Sequence, residues 1–232
     1  MGRPTAVRHS VLLLLCSVLT GCTALTGGHP QPADGDGPRP VRAAALPAVL
    51  LDTAGINAVM GATAMTVRET RVRLFDAGAQ FADRACLVAW TAAEQTVYAH
   101  SGWTAVAAQS VSEPTGQPGH FVIQSVVAFP SRRDADDFFG RTARRWAPCA
   151  DRTFVSRRGG GDAAGSWRFG PVSAVDSMLW MTQHQERSRG WSCQRALRVS
   201  NNVAIDVLAC KHYSSDEAAT IVHGIDARLP SL

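Results

Sequence analysis

Two cysteines that flank a pair of asparagines constrain this chain more than any other feature of its sequence. The segment Trp191–Cys210 reads WSCQRALRVSNNVAIDVLAC, with strand-like runs on either side of Asn201-Asn202. A two-residue hairpin loop of type I′ needs positive φ at both central residues, and asparagine tolerates that conformation better than other non-glycine residues. The pattern therefore predicts a β-hairpin whose turn is formed by the two asparagines.

The turn also predicts which residues face each other across the hairpin. With Asn201-Asn202 as the loop, Ser200 faces Val203 in a hydrogen-bonded pair, and the two pair types alternate outward. Cys193 then faces Cys210 at a non-hydrogen-bonded position, where Cα atoms lie about 4.5 Å apart and a disulfide can form. A cross-strand disulfide needs an oxidising environment, so we expect the folded part of the chain to lie outside the cytoplasm.

Residues 1–21 have the composition of an export signal. Arg3 and Arg8 precede an apolar run at residues 11–18, which is too short to span a bilayer as a stable helix. The motif LTGC that ends at Cys22 resembles the lipobox of bacterial lipoproteins, in which the cysteine thiol carries a diacylglycerol after cleavage. Two acyl chains suffice for lasting attachment, so we expect Cys22 to anchor the chain on the extracytoplasmic face of the cell membrane. The alternative is an ordinary secretory signal with a chance cysteine.

A tether and one domain are expected after the signal. Residues 22–43 are dense in Gly, Pro and Asp, a composition that cannot bury a core and predicts a flexible tether. Residues 44–232 have the length of about one domain. Removal of Arg3 and Arg8 with the signal brings the basic residues close in number to the 19 acidic ones. That balance predicts no nucleic-acid partner.

Four cysteines remain once the signal is removed and Cys22 is lipidated, and four cysteines allow three pairings. They are Cys86, Cys149, Cys193 and Cys210. Because the hairpin claims the last two, the sequence predicts a second bridge between Cys86 and Cys149. A bridge that closes so long a loop is worth roughly 4 kcal/mol in the chain-entropy model.

The second bridge is expected to join two helices. Asp83 can cap a helix that carries Cys86 and extends to Val97. Ser131 begins a capping-box pattern for another helix, which runs to Trp146, and Cys149 follows the end of that helix. The disulfide would therefore hold the two helices together.

Two further segments have clear periodicity. The run FVIQSVVAF at Phe121–Phe129 is apolar on both faces and predicts a central strand. Ser214 and Glu217 have the spacing of a capping box before a final amphipathic helix.

No known motif predicts a metal, a cofactor or a catalytic residue. The seven histidines show no metal-binding spacing, and no G-x-S-x-G motif is present. The alternative is a hydrolase whose triad is assembled from distant residues, namely Ser101, His120 or His212, and Asp206.

Trp103, Arg195 and Asp206 are the candidates for a ligand cleft. Arg195 and Asp206 are diagonal neighbours on one face of the predicted hairpin. They could form a structural ion pair or the polar part of a cleft. Trp103 could rim a groove together with Trp180 and Trp191, although core packing is the usual role of tryptophan.

Several of these segments together resemble the PknH-like extracellular sensor domain of mycobacteria and their relatives. The resemblance covers about residues 46–232 and rests on Tyr98…Ser101-Gly102-Trp103, Gln124-Ser125-Val126-Val127-Ala128-Phe129-Pro130, Trp146…Cys149, Trp191-Ser192-Cys193-Gln194-Arg195-Ala196, Asn201-Asn202 and Asp206-Val207…Cys210. It implies an α+β fold with a central antiparallel sheet flanked by helices, two disulfides, and a cleft for an unidentified ligand.

The resemblance also shapes the expected function. In kinases of this family the domain follows a transmembrane helix and a cytoplasmic kinase, whereas here we expect a lipid anchor in their place. We expect a non-catalytic domain of the cell envelope that binds an unidentified envelope ligand, and the sequence predicts no particular oligomeric state. A lipid or glycolipid carrier is the alternative.

Overall fold

The computed structural model describes residues 39–80, 83–114, 119–156 and 165–229. The expected signal peptide, Cys22 and the tether up to residue 38 lie outside the described residues. Residues 39–43, which we expected to belong to the tether, contact the domain instead. The Val41 amide donates a 2.7 Å hydrogen bond to Asn202 Oδ1, and the Val41 side chain is buried. The contact places Val41 in the folded domain, so the expected boundary at residue 44 is too late.

The described residues form one antiparallel sheet of nine strands. In chain order the strands are β1 (Thr66–Arg71), β2 (Ala105–Ser112), β3 (His120–Ala128), β4 (Thr153–Ser156), β5 (Gly165–Phe169), β6 (Ser173–Val175), β7 (Met178–Gln185), β8 (Trp191–Ser200) and β9 (Val203–His212). Their spatial order is β1-β2-β3-β9-β8-β7-β5-β4, and β6 pairs with β7. The apolar strand β3 lies between β2 and β9, which confirms the predicted central strand.

Helices cover both faces of this sheet, which confirms the predicted α+β class. They are α1 (Leu46–Val49), α2 (Thr53–Met60), α3 (Leu87–Trp90), α4 (Gln95–Tyr98), α5 (Arg132–Trp146) and α6 (Glu217–Asp226). Within the described residues, no single helix is long and apolar enough to cross a membrane. One pair bent by 47°, Ala43–Val49 with Thr53–Met60, passes that test by length and composition alone.

The hairpin of β8 and β9 has the predicted register. Ser200 faces Val203, and Cys193 faces Cys210 with their Cα atoms 3.9 Å apart. The predicted type I′ turn is wrong in one respect, because only Asn201 has positive φ, at 51°. The side chain of Asn202 is buried and bonds to backbone groups of Val41 and Phe129. The role of Asn202 is therefore to form these side-chain amide hydrogen bonds, and not to adopt a positive φ in the turn.

The helix expected from Asp83 to Val97 is divided into α3 and α4. Asp83 Oδ1 accepts hydrogen bonds from the amides of Ala85 and Cys86, as a capping residue does. The helix ends at Trp90 because the next residues adopt other conformations, with Ala93 at a φ of 50°. The Ala93 amide donates to Asp206 Oδ2 at 2.8 Å, so a contact with a distant strand interrupts the helix.

The helix signal at Ser131 is confirmed, whereas the capping box predicted at Ser214 is wrong. Ser131 Oγ accepts a hydrogen bond from the Asp134 amide at the start of α5. Helix α6 begins at Glu217 with Asp216 at its N-cap, and Ser214 Oγ donates to the Glu217 carboxylate instead of accepting from a backbone amide of the helix. Both amphipathic helices bury the face that carries their apolar residues.

Both predicted disulfides are present. Cys193–Cys210 joins β8 to β9, and Cys86–Cys149 ties the start of α3 to the turn after α5. The second bridge holds α3 and α5 together on the same face of the sheet as the first.

The two faces of the sheet have different cores. One face packs against α1, α2 and α6 through aliphatic residues such as Ile205 and Val207. The other packs against α3, α4 and α5 and contains most of the buried aromatic side chains. We call the first the aliphatic face and the second the aromatic face.

Candidate functional site

A row of side chains across four strands forms the floor of a cavity on the aromatic face. Gln183 on β7 faces Cys193 on β8, Cys193 faces Cys210 on β9, and Cys210 faces Phe121 on β3. Residues directly opposite one another in an antiparallel sheet project to the same face. The hairpin disulfide therefore lies in the middle of this floor.

A second row lies beside the first. Gln185 and Trp191 follow or precede Gln183 and Cys193 by two positions on their strands, so they share the same face. Trp167 on β5 faces Gln185. The two rows bring two glutamines and two tryptophans to one end of the sheet.

Helix α3 forms a wall above this floor. Gln183 Nε2 donates hydrogen bonds to the carbonyl oxygens of Ala89, at 2.6 Å, and Trp90, at 3.0 Å. Those bonds hold Trp90 and Thr91 over the sheet. The Trp90 and Trp167 rings meet edge to face with centroids 5.1 Å apart.

The floor and the wall enclose a cavity of about 340 Å³. It is lined by Trp90, Thr91, Phe121, Ser156, Gly165, Trp167, Gln183, Gln185, Trp191, Cys193, Leu208 and Cys210. Among the described residues, this lining combines aromatic surface with a few hydroxyl and amide groups and contains no charged side chain. Small-molecule sites in proteins have the same general character and volumes of about 300–1,000 Å³.

A second cavity of about 430 Å³ adjoins the first, and Thr91 and Phe121 line both. Its other lining residues include Glu69, Arg71 and Asp76. The described lining residues of the two cavities therefore differ in charge, since only the second cavity has charged side chains among them.

Arg195 and Asp206 form a buried ion pair beside the aromatic cavity. Each side chain is 1% exposed, and Arg195 Nη1 contacts Asp206 Oδ1. The same nitrogen donates hydrogen bonds to the carbonyl oxygens of Ala196 and Val207. The guanidinium lies 5.4 Å from the centre of the Trp146 ring. The structural ion pair is the correct interpretation, and neither residue lines the cavity.

The ion pair nevertheless supports the cavity wall. Asp206 Oδ2 accepts hydrogen bonds from the Ala93 amide, at 2.8 Å, and the Tyr98 hydroxyl, at 2.9 Å. Both donors belong to the segment that follows the wall helix α3. Burial, together with the negative charge of Asp206, raises the pKa of Tyr98 well above its ordinary value, so the phenol stays protonated and donates.

The predicted tryptophans are divided between these environments. Trp103 is partly buried against the aromatic core and is not among the residues that line the aromatic cavity. Trp180 packs against the aliphatic core on the opposite face. Trp191 does line the cavity. The expected cleft of Trp103, Arg195 and Asp206 is therefore corrected, because burial of the ion pair excludes two of its members.

Neither histidine of the alternative hydrolase triad lies near Asp206. Ser125 faces Asp206 across the sheet, and His120 lies five residues from Ser125 on β3, a distance of about 17 Å. His212 lies six residues from Asp206 on β9, or about 20 Å. His120 Nδ1 instead contacts Glu113 Oε1 at 2.6 Å. Asp206 thus cannot orient either histidine as a catalytic base.

Sequence reasoning missed most of the cavity. No sequence motif includes Gln183, Gln185 or Trp167. Which residues lie next to them depends on the pairing of β5 with β7 and of β7 with β8. Alternation along MTQHQ, which places both glutamines on one face of β7, is the one sequence signal that points to them.

Within the described residues, Asp206 forms no triad with His120 or His212. The antiparallel sheet, the two disulfides, the helices on both faces and the aromatic cavity define a disulfide-stabilised α+β domain. More specifically, the chain belongs to the PknH-like extracellular domain family, whose sequence model matches residues 41–228. The resemblance predicted from the sequence is thereby confirmed.

Individual relatives agree with this assignment. The chain is 31% identical to the serine/threonine-protein kinase PknH of Mycobacterium bovis (strain ATCC BAA-935 / AF2122/97) over 215 residues, 93% of this chain and 35% of the kinase. It is 33% identical to PknH of Mycobacterium tuberculosis (strain CDC 1551 / Oshkosh) over 184 residues, 79% of this chain and 29% of the kinase. The chain thus spans about a third of the length of these kinases.

A solved structure has the same fold. The crystal structure of the extracellular domain of PknH from Mycobacterium tuberculosis matches with a TM-score of 0.77 and 31% identity. The match covers 83% of this chain and 98% of that domain.

Proposed function

We propose that this chain is a lipid-anchored, non-catalytic domain on the extracytoplasmic face of the cell membrane and that it binds a small envelope ligand. The aromatic cavity is the observation that carries the proposal. It has the volume and lining of a small-molecule site, and rigid elements hold it: four paired strands, a disulfide and a hydrogen-bonded helix.

The location outside the cytoplasm is supported by two observations. The family is defined by an extracellular domain, and two disulfides need an oxidising compartment to persist. The lipid anchor is supported by the sequence around Cys22.

The anchor is tested by Cys22→Ala in the full chain. We expect the variant to leave the membrane fraction, because the cysteine thiol is the only attachment point for the diacylglycerol at the LTGC motif. Cys16→Ala, which changes a cysteine inside the expected signal, is the matched control and should leave the distribution unchanged. Membrane retention of Cys22→Ala equal to wild type would refute the anchor.

The binding function is tested by native mass spectrometry of the full chain purified from its own membranes. We expect an additional mass that is retained under gentle conditions and lost on unfolding. Filling the cavity with Gly165→Trp should abolish that mass, because a Cβ at Gly165 would already lie 2.8 Å from Gln185 Nε2. A bound mass that persists in this variant would place the ligand elsewhere.

The alternative of a lipid carrier is less well supported by the cavity. A carrier must enclose long acyl chains, whereas this cavity lies near the lower end of the range for small-molecule sites.

A further inference from the structure

Gln183 leaves one polar atom unused at the aromatic cavity. Its side chain is 1% exposed, and Nε2 donates to the carbonyl oxygens of Ala89 and Trp90. Because both partners can only accept, the amide nitrogen must face them and Oε1 must lie on the other side. Oε1 receives no hydrogen bond from the residues that the structure describes. The side chain thus offers the cavity an acceptor whose orientation is fixed before any ligand arrives.

Two other lining groups are available for hydrogen bonds. The Thr91 hydroxyl and the Gln185 amide make no side-chain hydrogen bond within the described ranges. Gln185 Nε2 lies over Gly165, where the absence of a side chain leaves it room. The cavity therefore presents an acceptor, a hydroxyl and an amide among the rings of Trp90, Trp167 and Trp191.

We propose that the aromatic cavity binds a neutral sugar ring, and that Gln183 Oε1 accepts a hydrogen bond from one of the hydroxyl groups of the sugar. The inference rests on the proposed binding function and names its ligand class. A pyranose has apolar C–H faces that pack on indole rings and a rim of hydroxyl groups that donate and accept. That combination matches the lining group by group.

Other ligand classes match less well. An acyl chain has no donor, so it would bury Gln183 Oε1 and the Thr91 hydroxyl without hydrogen-bond partners, which is unfavourable. A charged ligand would find no charged side chain among the described residues of the lining. A neutral ring with several hydroxyl groups avoids both penalties.

The proposal is tested by titrating the full chain with D-glucose, D-mannose, D-galactose and maltose. The detergent should be a polyoxyethylene, since maltoside detergents carry glucose rings. Binding is followed by tryptophan fluorescence, because three tryptophans line the cavity, and by saturation-transfer NMR of the sugar protons. We expect at least one sugar to bind with a Kd below about 10 mM. D-glucuronate, a pyranose with a carboxylate, should bind at least about tenfold more weakly than D-glucose.

Variants assign the binding to particular atoms. Thr91→Val keeps the shape of the side chain and should weaken binding about threefold to tenfold, as should Gln183→Leu. Gln124→Leu is the matched control, because Gln124 is also a buried glutamine bonded to the backbone, at Leu51 between α1 and α2, but lies on the aliphatic face. It should lower stability without changing sugar affinity.

The results distinguish the sugar assignment from the broader proposal that the domain binds a ligand. Failure of every sugar to bind, or equal affinity in Gln183→Leu and Gln124→Leu, would overturn the sugar assignment. Binding of dodecanoic acid in place of sugars would overturn it while leaving a ligand-binding domain. If neither the sugars nor dodecanoic acid bind, and no ligand co-purifies with the chain, both the sugar assignment and the ligand-binding function are refuted.

Discussion

Gln124 and Gln183 are buried glutamines on opposite faces of one sheet, and they differ in how fully their amides are bonded. Gln124 Oε1 accepts from the Leu51 amide, and its Nε2 donates to the Leu51 carbonyl and to Gln109 Oε1. Gln183 bonds through Nε2 to the α3 backbone, while its Oε1 is left at a cavity. Each amide holds a neighbouring segment of the chain on the sheet, but Gln183 Oε1 has no hydrogen-bond partner among the described residues.

The same contrast holds for the faces as a whole. The aliphatic face is closed by α2 and α6 over close-packed Val, Ile and Ala side chains. The aromatic face carries both disulfides, a buried ion pair and the cavity. The closed face stabilises the sheet, and the aromatic face uses covalent and ionic contacts to hold a wall above an open space.

The largest effect is expected at the ion pair of the aromatic face. Asp206→Asn keeps the shape of the side chain but leaves the Arg195 charge buried without a negatively charged partner. We expect the free energy of unfolding to fall by about 3–5 kcal/mol, measured by urea denaturation. The exposed Asp216→Asn is the control and should change it by less than about 0.5 kcal/mol. A loss of under about 1 kcal/mol at Asp206 would mean that the ion pair does not hold the wall.

Two isomeric side chains on β9 compare the faces directly. Ile205 lies on the aliphatic face and Leu208 lines the cavity. Ile205→Ala should cost about 4 kcal/mol, because its methyl groups are packed on all sides. Leu208→Ala should cost at least about 1 kcal/mol less, since one side of Leu208 already lacks packing partners. Thermal unfolding of the two variants measures the difference, and equal losses would show that the faces are equally well packed.

Substitution of the two turn asparagines by glycine should have different effects on stability. Asn202→Gly removes an amide that bonds to Val41 and Phe129, and should cost about 2 kcal/mol. Asn201→Gly should be within about 0.5 kcal/mol of wild type, because glycine readily adopts the φ of 51° found there. The melting temperatures of both variants test this, and an equal fall would imply that turn conformation dominates at both positions.

The smallest effect is a pH dependence of the α6 attachment on the aliphatic face. Burial alone would raise the pKa of Glu217, but hydrogen bonds from the Ser215 amide, the Ser214 hydroxyl and Lys211 outweigh burial and lower it below 4.5. A carboxyl whose pKa is lowered by folding stabilises the native state above its unfolded value. That contribution is lost as the pH falls below about 4.5 through the folded pKa. Glu217→Gln should therefore flatten the acid limb of a plot of melting temperature against pH, and an unchanged limb would contradict this role.

The hairpin and the helix ends were predictable because they depend on local rules. Turn length and strand alternation predicted the Cys193–Cys210 register. The capping residue Ser131 located the start of α5, and the amphipathic pattern located α6. Each of these signals lies within the segment that it describes.

The break between α3 and α4 and the lining of the cavity were not predictable in this way. The bond that interrupts the helix joins Ala93 to Asp206, 113 positions along the chain. The cavity depends on pairing of β5 and β7 with β8 and on the place where α3 lies over them. Such contacts are made by common residue types that are far apart in the sequence. The local pattern of any one segment therefore does not predict them.

The side chain of Asn202 also connects the N-terminal end of the described domain to the hairpin turn. It is bonded to Val41 near the start of the described chain and to Phe129 after β3, and Asn201 bonds to the Arg39 carbonyl. A force applied to the chain before Arg39 would therefore reach these hydrogen bonds at the hairpin turn first. The aromatic cavity lies at the opposite end of the same hairpin, where Cys193 and Cys210 line it.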